Sequence, residues 1–264
     1  MKVGFFQFSP ELGKVGANIK QIESFSDSFG NADLIVLPEL CNSGYNFKDR
    51  KQAWANSEPI GKSKFIEYLV SLAQTHNVYI VSGFNERDGD DLFNSAVLVG
   101  PGGYIGCYRK LHLFMREKEF FRPGNRGLPV FDVGICRIGM LVCFDWIFPE
   151  AWRIIALNGA DLICHPSNLI LPGLAQKAIP VHSLLNRVFI ITSNRTGIEE
   201  NLTFTGSSII TSPRGEVLCR ATDSESVVKI VDVEINLSRN KKITSNNDIF
   251  SDRRPAEYKR ITDN

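Results

Sequence analysis

Cys143, Glu39 and Lys110 are the residues of this chain whose types and settings could together carry out acyl chemistry. Cys143 stands in Ile138-Gly139-Met140-Leu141-Val142-Cys143-Phe144-Asp145-Trp146-Ile147-Phe148-Pro149-Glu150, where a buried-strand pattern breaks off. Pro149, with Glu150 beside it, signals a helix start. The expected setting of the thiol is therefore a helix N-terminus, whose free N–H groups and dipole favour a thiolate and any oxyanion next to it. Glu39 follows the apolar run Leu34-Ile35-Val36-Leu37-Pro38. A carboxylate at the C-terminal end of a strand points at the usual ligand crevice of an α/β protein. Lys110 follows Tyr104-Ile105-Gly106-Cys107-Tyr108-Arg109, where the chain turns. Taken singly, each has a plainer reading: a solvated acid, a surface lysine, a small buried cysteine. Taken together they supply complementary chemistry. A free thiol of pKa about 8.5 is only a few per cent ionised at neutral pH, so a cysteine nucleophile needs a base. A carboxylate supplies it, and a fixed ammonium receives the charge that develops on a substrate oxygen.

Short apolar runs and helical patterns must place these three side chains. The runs predict strands over Lys2–Phe8, Leu34–Leu37, Val78–Phe84, Ser95–Val99, Tyr104–Tyr108 and Ile135–Val142. Further strands are predicted over Leu162–His165, Phe189–Thr192, Ser207–Thr211, Glu216–Cys219 and Val227–Val233. Helices are predicted over Asn18–Phe29, Ser63–Thr75, Pro149–Leu157 and Leu174–Asn186. Pro101-Gly102-Gly103 and Ser212-Pro213-Arg214-Gly215 each read as a tight turn joining two strands. Each such hairpin follows a strand–helix–strand stretch, which implies internal two-fold similarity. The pattern predicts mixed sheets covered by helices. No low-complexity linker separates the halves, so residues 1–235 read as a single domain. Residues 236–264 lack a periodic apolar face and read as a polar tail lying across a surface or a partner subunit.

Lys+Arg number 30 and Asp+Glu 29 among the 264 residues, and the net charge of +1 argues against an electrostatic nucleic-acid or membrane binder. With 43% hydrophobic residues, the composition is that of an ordinary globular protein with enough chain for a large core. No apolar run reaches membrane-span length, and the one in Met1–Phe8 is too short for a signal peptide. The six cysteines are scattered without a C-x-x-C pair, so reduced thiols in the cytoplasm are expected. The four histidines show no metal-ligand spacing. Gly102-Gly103-Tyr104-Ile105-Gly106 falls short of a dinucleotide fingerprint, and a G-x-S-x-G serine elbow is absent.

Leu37-Pro38-Glu39-Leu40, Tyr108-Arg109-Lys110-Leu111-His112-Leu113 and Cys143-Phe144-Asp145-Trp146-Ile147-Phe148-Pro149-Glu150 resemble, in order, the three catalytic motifs of the nitrilase superfamily of carbon–nitrogen hydrolases. The resemblance runs from the opening strand to Asp252-Arg253-Arg254-Pro255. It implies an α/β fold, a four-layer α-β-β-α sandwich, usually dimeric through a helical face. It also implies that Glu39 acts as base, that Lys110 and the Phe144 N–H stabilise the oxyanion, and that Cys143 is the nucleophile. The superfamily's second active-site glutamate falls on Glu117, preferred to Glu119 from its offset to Pro123-Gly124. The implied reaction passes through a thioester and needs no metal or organic cofactor.

Tyr45, beyond the Glu39 strand, and Asn168, at the end of His165-Pro166-Ser167-Asn168, are candidate substrate contacts together with Phe144. Asp145 and Trp146 read either as pocket walls or as capping and packing residues. Glu150 and Arg153, one helical turn apart, read as a structural ion pair, and Cys41 as inert. The favoured activity is hydrolysis of a small linear amide. Nitrile hydrolysis through a thioimidate uses the same residues, and N-carbamoyl amine hydrolysis is less favoured. A binding protein that lost turnover is disfavoured by the intact Glu39, Lys110 and Cys143. A redox-sensing thiol is disfavoured because no resolving cysteine can be placed beside Cys143. Expected partners are a small-molecule substrate and a second copy of the chain.

Overall fold

Alternation along the first strand decides the layering. In β1 (Lys2–Gln7), Val3 and Phe5 enter one buried cluster and Phe6 enters another, as the two-residue period of a strand requires. The computed structural model describes residues 1–263. Further strands are β2 (Leu34–Val36), β3 (Tyr79–Asp88), β4 (Asp91–Gly100), β5 (Gly103–Arg109), β6 (Val130–Asp132), β7 (Arg137–Met140), β8 (Leu162–Ser167), β9 (Phe189–Asn194), β10 (Ile198–Glu199), β11 (Leu202–Thr203), β12 (Ile209–Thr211), β13 (Val217–Arg220) and β14 (Val227–Asp232). The helices are α1 (Val15–Phe25), α2 (Arg50–Ala55), α3 (Lys64–His76), α4 (Glu117–Phe120), α5 (Pro149–Leu157) and α6 (Leu174–Asn186).

Two six-stranded sheets form, in the orders β14-β1-β2-β3-β4-β5 and β13-β12-β9-β8-β7-β6. β1, β2 and β3 run parallel, as do β7, β8 and β9, while the flanking strands pair antiparallel. Both sheets follow one path: strand, helix, strand, helix, strand, then two more strands ending in a tight hairpin. This is the internal two-fold similarity implied by the turn residues. Each repeat is completed at its first strand by an outside strand, β14 beside β1 and β6 beside β7. Inward residues of the first sheet, including Leu34, Val36 and Val81, share a cluster with Ile138 and Met140 of the second. Outward residues Ile35, Leu37 and Ile80 pack with Ile22 of α1 and Phe65 and Leu69 of α3. The result is the α-β-β-α sandwich.

The structure departs from the expected boundaries where side chains intervene. The strand expected over Ile135–Val142 is shortened to Arg137–Met140, and the Val142 N–H leaves the ladder to donate to Asp145 Oδ2 at 2.9 Å. The first helix ends at Phe25 and tightens into a 3-10 turn over Ser26–Phe29. α2, α4 and the β10–β11 hairpin are too short to show a hydrophobic period. The Glu150–Arg153 ion pair does not form. Arg153 donates instead to the Leu185 carbonyl at 2.8 Å and lies over the Phe250 ring. The tail starts on its own chain: Arg239 donates to the Asp161 carboxylate, and Lys241 to the carbonyls of Asn186 and Arg187 at the end of α6. Among the described residues no helix is long and apolar enough to cross a membrane.

Gly83 on β3 lets the Glu39 segment approach. The Gly83 N–H donates to the Pro38 carbonyl at 3.0 Å, and Cys41 N–H donates to the Gly83 carbonyl at 3.2 Å. A Cβ at position 83 would lie 2.3 Å from Glu39 Cα and 2.4 Å from Leu40 N. Gly83→Ala is therefore expected to cost about 1–3 kcal/mol of stability and to lower turnover by displacing Glu39. Chemical denaturation together with a hydrolysis assay checks this; a variant matching the wild type in both would contradict the packing argument.

Candidate active site

Glu39, Lys110, Glu117 and Cys143 come from four separate pieces of chain. Glu39 lies just past β2 and Lys110 just past β5. Glu117 opens the single turn α4, and Cys143 opens a 3-10 turn over Cys143–Ile147. All four side chains are buried. Lys110 Nζ donates to Glu39 Oε1 at 2.7 Å and to Glu117 Oε1 at 2.8 Å. Tyr45 Oη donates to Glu117 Oε1 at 2.8 Å, and Asn94 Nδ2 donates to Glu39 Oε1 at 2.7 Å. Asn168 Nδ2 donates to the Glu39 carbonyl at 3.0 Å, while its backbone N–H faces the Cys143 sulfur. The structure thus brings Tyr45 and Asn168 into one network with Glu39, Lys110 and Glu117, with Cys143 close beside it. Glu119 stays on the surface, paired with Arg116. Phe144 packs its ring against Phe114 and Phe148 beside Cys143.

Two buried carboxylates share one ammonium, and the electrostatics follow from that count. Burial pushes the Glu117 carboxyl up to about 7, with Lys110 opposing and Glu39 adding to the rise. Burial alone would lower Lys110, but Glu117 and Glu39 outweigh it and keep the ammonium charged. Burial, reinforced by Glu39, holds the Cys143 thiol well above the ordinary thiol range. Cys143 therefore rests as a thiol, as the expected need for a base implies. The expected helix N-terminus at the thiol itself is corrected. The α-helix begins only at Pro149, and the sulfur sits in an enclosed turn beside two carboxylates.

Cys143 itself adopts φ +46°, a left-handed conformation rare for a residue with a side chain. Side chains fasten the turn around it. His165 Nε2 donates to the Cys143 carbonyl at 2.9 Å, and burial lowers this histidine to about 4, so the donating neutral form persists. Asp145 accepts from the Val142 N–H, from Tyr108 Oη at 2.8 Å and from the His112 N–H at 3.2 Å. Trp152 Nε1 donates to the Asp145 carbonyl, and the His182 ring bonds the Trp146 carbonyl. Asp145 is thus a clamp on the turn, the capping alternative of its two readings, and Trp146 is buried within it. Sequence reasoning missed Asn94 and His165 as site residues. For His165 the signal was a polar residue inside the run Leu162-Ile163-Cys164; for Asn94 there was none.

A cavity of about 360 Å³ adjoins Glu117, with Tyr45, Asn46, Phe47, Met115, Phe120 and Leu202 among its walls. Cys41 is buried elsewhere, its thiol pushed up to about 12 by burial, in keeping with an inert residue. Among the described residues no group of three or more His, Cys, Asp or Glu is placed to hold a metal ion. A model of carbon–nitrogen hydrolases matches residues 2–242. The chain belongs to the carbon–nitrogen hydrolase family, within the nitrilase superfamily. It is 45% identical over 260 residues to a nitrilase of Pyrococcus abyssi, spanning 98% of this chain and 99% of that one. It is 31% identical to an (R)-stereoselective amidase of a Pseudomonas species, spanning 96% and 92% of the two chains. A carbon–nitrogen hydrolase from Helicobacter pylori G27 shares the fold at a TM-score of 0.86, with 24% identity over 100% of this chain and 98% of that one.

Three donors, from Tyr45, Lys110 and more distantly Asn94, converge on Glu117 and match its ionised form. Turnover of this hydrolase is therefore expected to fall as pH drops through about 7, where the carboxylate cluster takes up a proton. In Glu117→Gln the remaining activity should show this limb at lower pH, because one like charge has left the cluster. A pH profile of kcat/KM checks both; a limb unmoved by the substitution would assign it elsewhere.

Proposed function

We propose that the chain hydrolyses a small primary amide to a carboxylic acid and ammonia through a thioester on Cys143. The observation that supports an amide is a set of buried acceptors without a protein partner: Glu39 Oε2, Asn168 Oδ1 and Asn94 Oδ1. They belong to residues bonded to one another, and Asn168 also reaches the Cys143 sulfur through its backbone. A buried acceptor left unpaired costs about 1–3 kcal/mol. The –NH2 of a primary amide brings two donors to such acceptors. A nitrile brings none.

Glu39 takes the thiol proton as the sulfur attacks the amide carbon. The tetrahedral oxyanion forms against the Lys110 ammonium and the Phe144 N–H, each such donor typically worth about 3 kcal/mol of barrier. Glu39 then returns the proton to the departing nitrogen, and ammonia leaves. With Glu39 again as base, water cleaves the thioester. Glu117, tied to Lys110 and Tyr45, keeps the ammonium aimed. Nitrile hydrolysis through a thioimidate is the second reading, supported by the 45% identity to the Pyrococcus abyssi nitrilase. The six free cysteines support a reducing compartment such as the cytoplasm. Exposed Ile154, Val181, Leu184 and Leu185 on α5 and α6 support a homodimer joined through this helical face.

Ammonia release across a panel of amides, carbamoyl amines and nitriles tests the reading. Amides should be turned over fastest, and Cys143→Ala should abolish turnover while leaving the fold intact. Mass spectrometry of Glu117→Gln soaked with the best amide should show one acyl adduct, on the Cys143 peptide. Nitriles as the only substrates would sink the amide reading. Near-normal rates in Cys143→Ala would sink the nucleophile.

A further inference from the structure

We infer that Glu199, held by Arg195, is a positioning residue that sets Tyr45 and, through its hydroxyl, the Glu117–Lys110 pair. The inference rests on the proposed role of that pair at Cys143. Arg195 follows β9, Glu199 lies in β10, and both are buried. Arg195 Nη1 donates to Glu199 Oε1, Nη2 donates to the Pro10 carbonyl at 2.9 Å, and the guanidinium lies 4.0 Å over the Phe204 ring. The charged carboxylate is then spent on backbone donors. Glu199 Oε2 accepts from the N–H of Asn46 at 2.7 Å and of Tyr45 at 3.1 Å, and the Glu199 carbonyl accepts from Asn46 Nδ2 at 3.2 Å.

The neighbouring residue is shaped to this contact. Gly44 has φ +76°, and a Cβ there would lie 2.9 Å from Glu199 Oε1 and 2.6 Å from Leu12 Cα. Only a glycine lets the loop settle on the carboxylate. Phe204, under the Arg195 guanidinium, meets the Tyr45 ring edge-on at 5.8 Å. Tyr45 is thus fixed through its backbone by Glu199 and through its ring by Phe204. Its hydroxyl is left aimed at Glu117 Oε1, 2.8 Å away. A buried ion pair adds little net stability by itself, because desolvation offsets its attraction. Here it acts as a fixed anion under two N–H groups of the loop that reaches the active site. Glu200 and Leu202, on the same β10–β11 hairpin, line the cavity beside Glu117. One residue therefore joins the cavity rim to the carboxylate network.

Glu199→Gln, Tyr45→Phe and the double variant test this, assayed on whichever panel substrate the wild type turns over. Misplacement by about 1 Å costs on the order of 100-fold, so Glu199→Gln should lower kcat about 10- to 100-fold with KM changed about threefold or less. The acid limb of the pH profile should move up, because Glu117 loses a donor to its ionised form. Tyr45→Phe should move it in the same direction, and adding Glu199→Gln to Tyr45→Phe should cost little more. Carbon-13 NMR titration of the Glu117 carboxyl reads the same upward movement without any substrate, so it stands even if the amide reading fails. Should Glu199→Gln not fold, Phe204→Leu releases the Tyr45 ring without touching the carboxylate and should give the same shift. Multiplicative losses in the double variant, or an unmoved Glu117 titration in the folded variants, would overturn the proposal.

Discussion

One ammonium between two buried carboxylates is the interaction on which the rest of this structure depends. Lys110 has no exposure, and Glu39 and Glu117 are nearly as enclosed, so none of the three can be solvated by bulk water. Removing the ammonium would leave two buried carboxylates uncompensated, the costliest defect a core can hold. The three residues stand at the ends of β2 and β5 and at the start of α4. Holding them within hydrogen-bond distance therefore demands that the first sheet and the α4 segment be set against one another within narrow limits. Gly83, Asn94 and Tyr45 meet that demand from three directions, by close approach, by an amide bond and by a phenol.

The Cys143 turn is built on a different principle. Where Lys110 is held by opposite charge, Cys143 is held by a strained backbone over-determined by hydrogen bonds. His165, Asp145, Trp152 and His182 each tie one group of a single turn. A left-handed residue costs on the order of 1–3 kcal/mol, and such a conformation persists only where its surroundings fix it. Leu40, next to Glu39, shows the same left-handed φ, at +45°. Glu39 and Cys143 thus both lie at bends that a relaxed chain would avoid.

Much of this was legible in the sequence, for physical reasons that can be named. Glu39, Lys110 and Cys143 each stand where a strand pattern ends, and such ends are visible without a structure. The two hairpin turns and the strand–helix alternation gave the repeated path of the sheets. What stayed hidden was contact between distant segments. Glu199 lies 154 residues from Tyr45, and no periodicity links them. Asn94 looked like any polar residue near a strand. The expected helix N-terminus at Cys143 failed because a tight turn intervenes between Cys143 and the helix, a distinction of a few residues that proline alone does not make. The Glu150–Arg153 pairing failed because spacing on one helix says nothing about the segment that later packs across it.

The strand β14, borrowed to complete the first sheet, ties the order of synthesis to the appearance of the active site. β1 carries residues 2–7 and its edge partner carries residues 227–232, in register from Lys2 opposite Asp232 to Gln7 opposite Val227. As the chain leaves the ribosome, the opening repeat stands with β1 as a bare edge until residues 227–232 follow. Pairings this far apart in sequence are slow to form and leave open edges exposed meanwhile. The Glu39 strand, lying directly against β1, rests on a sheet that closes only once residues 227–232 have emerged.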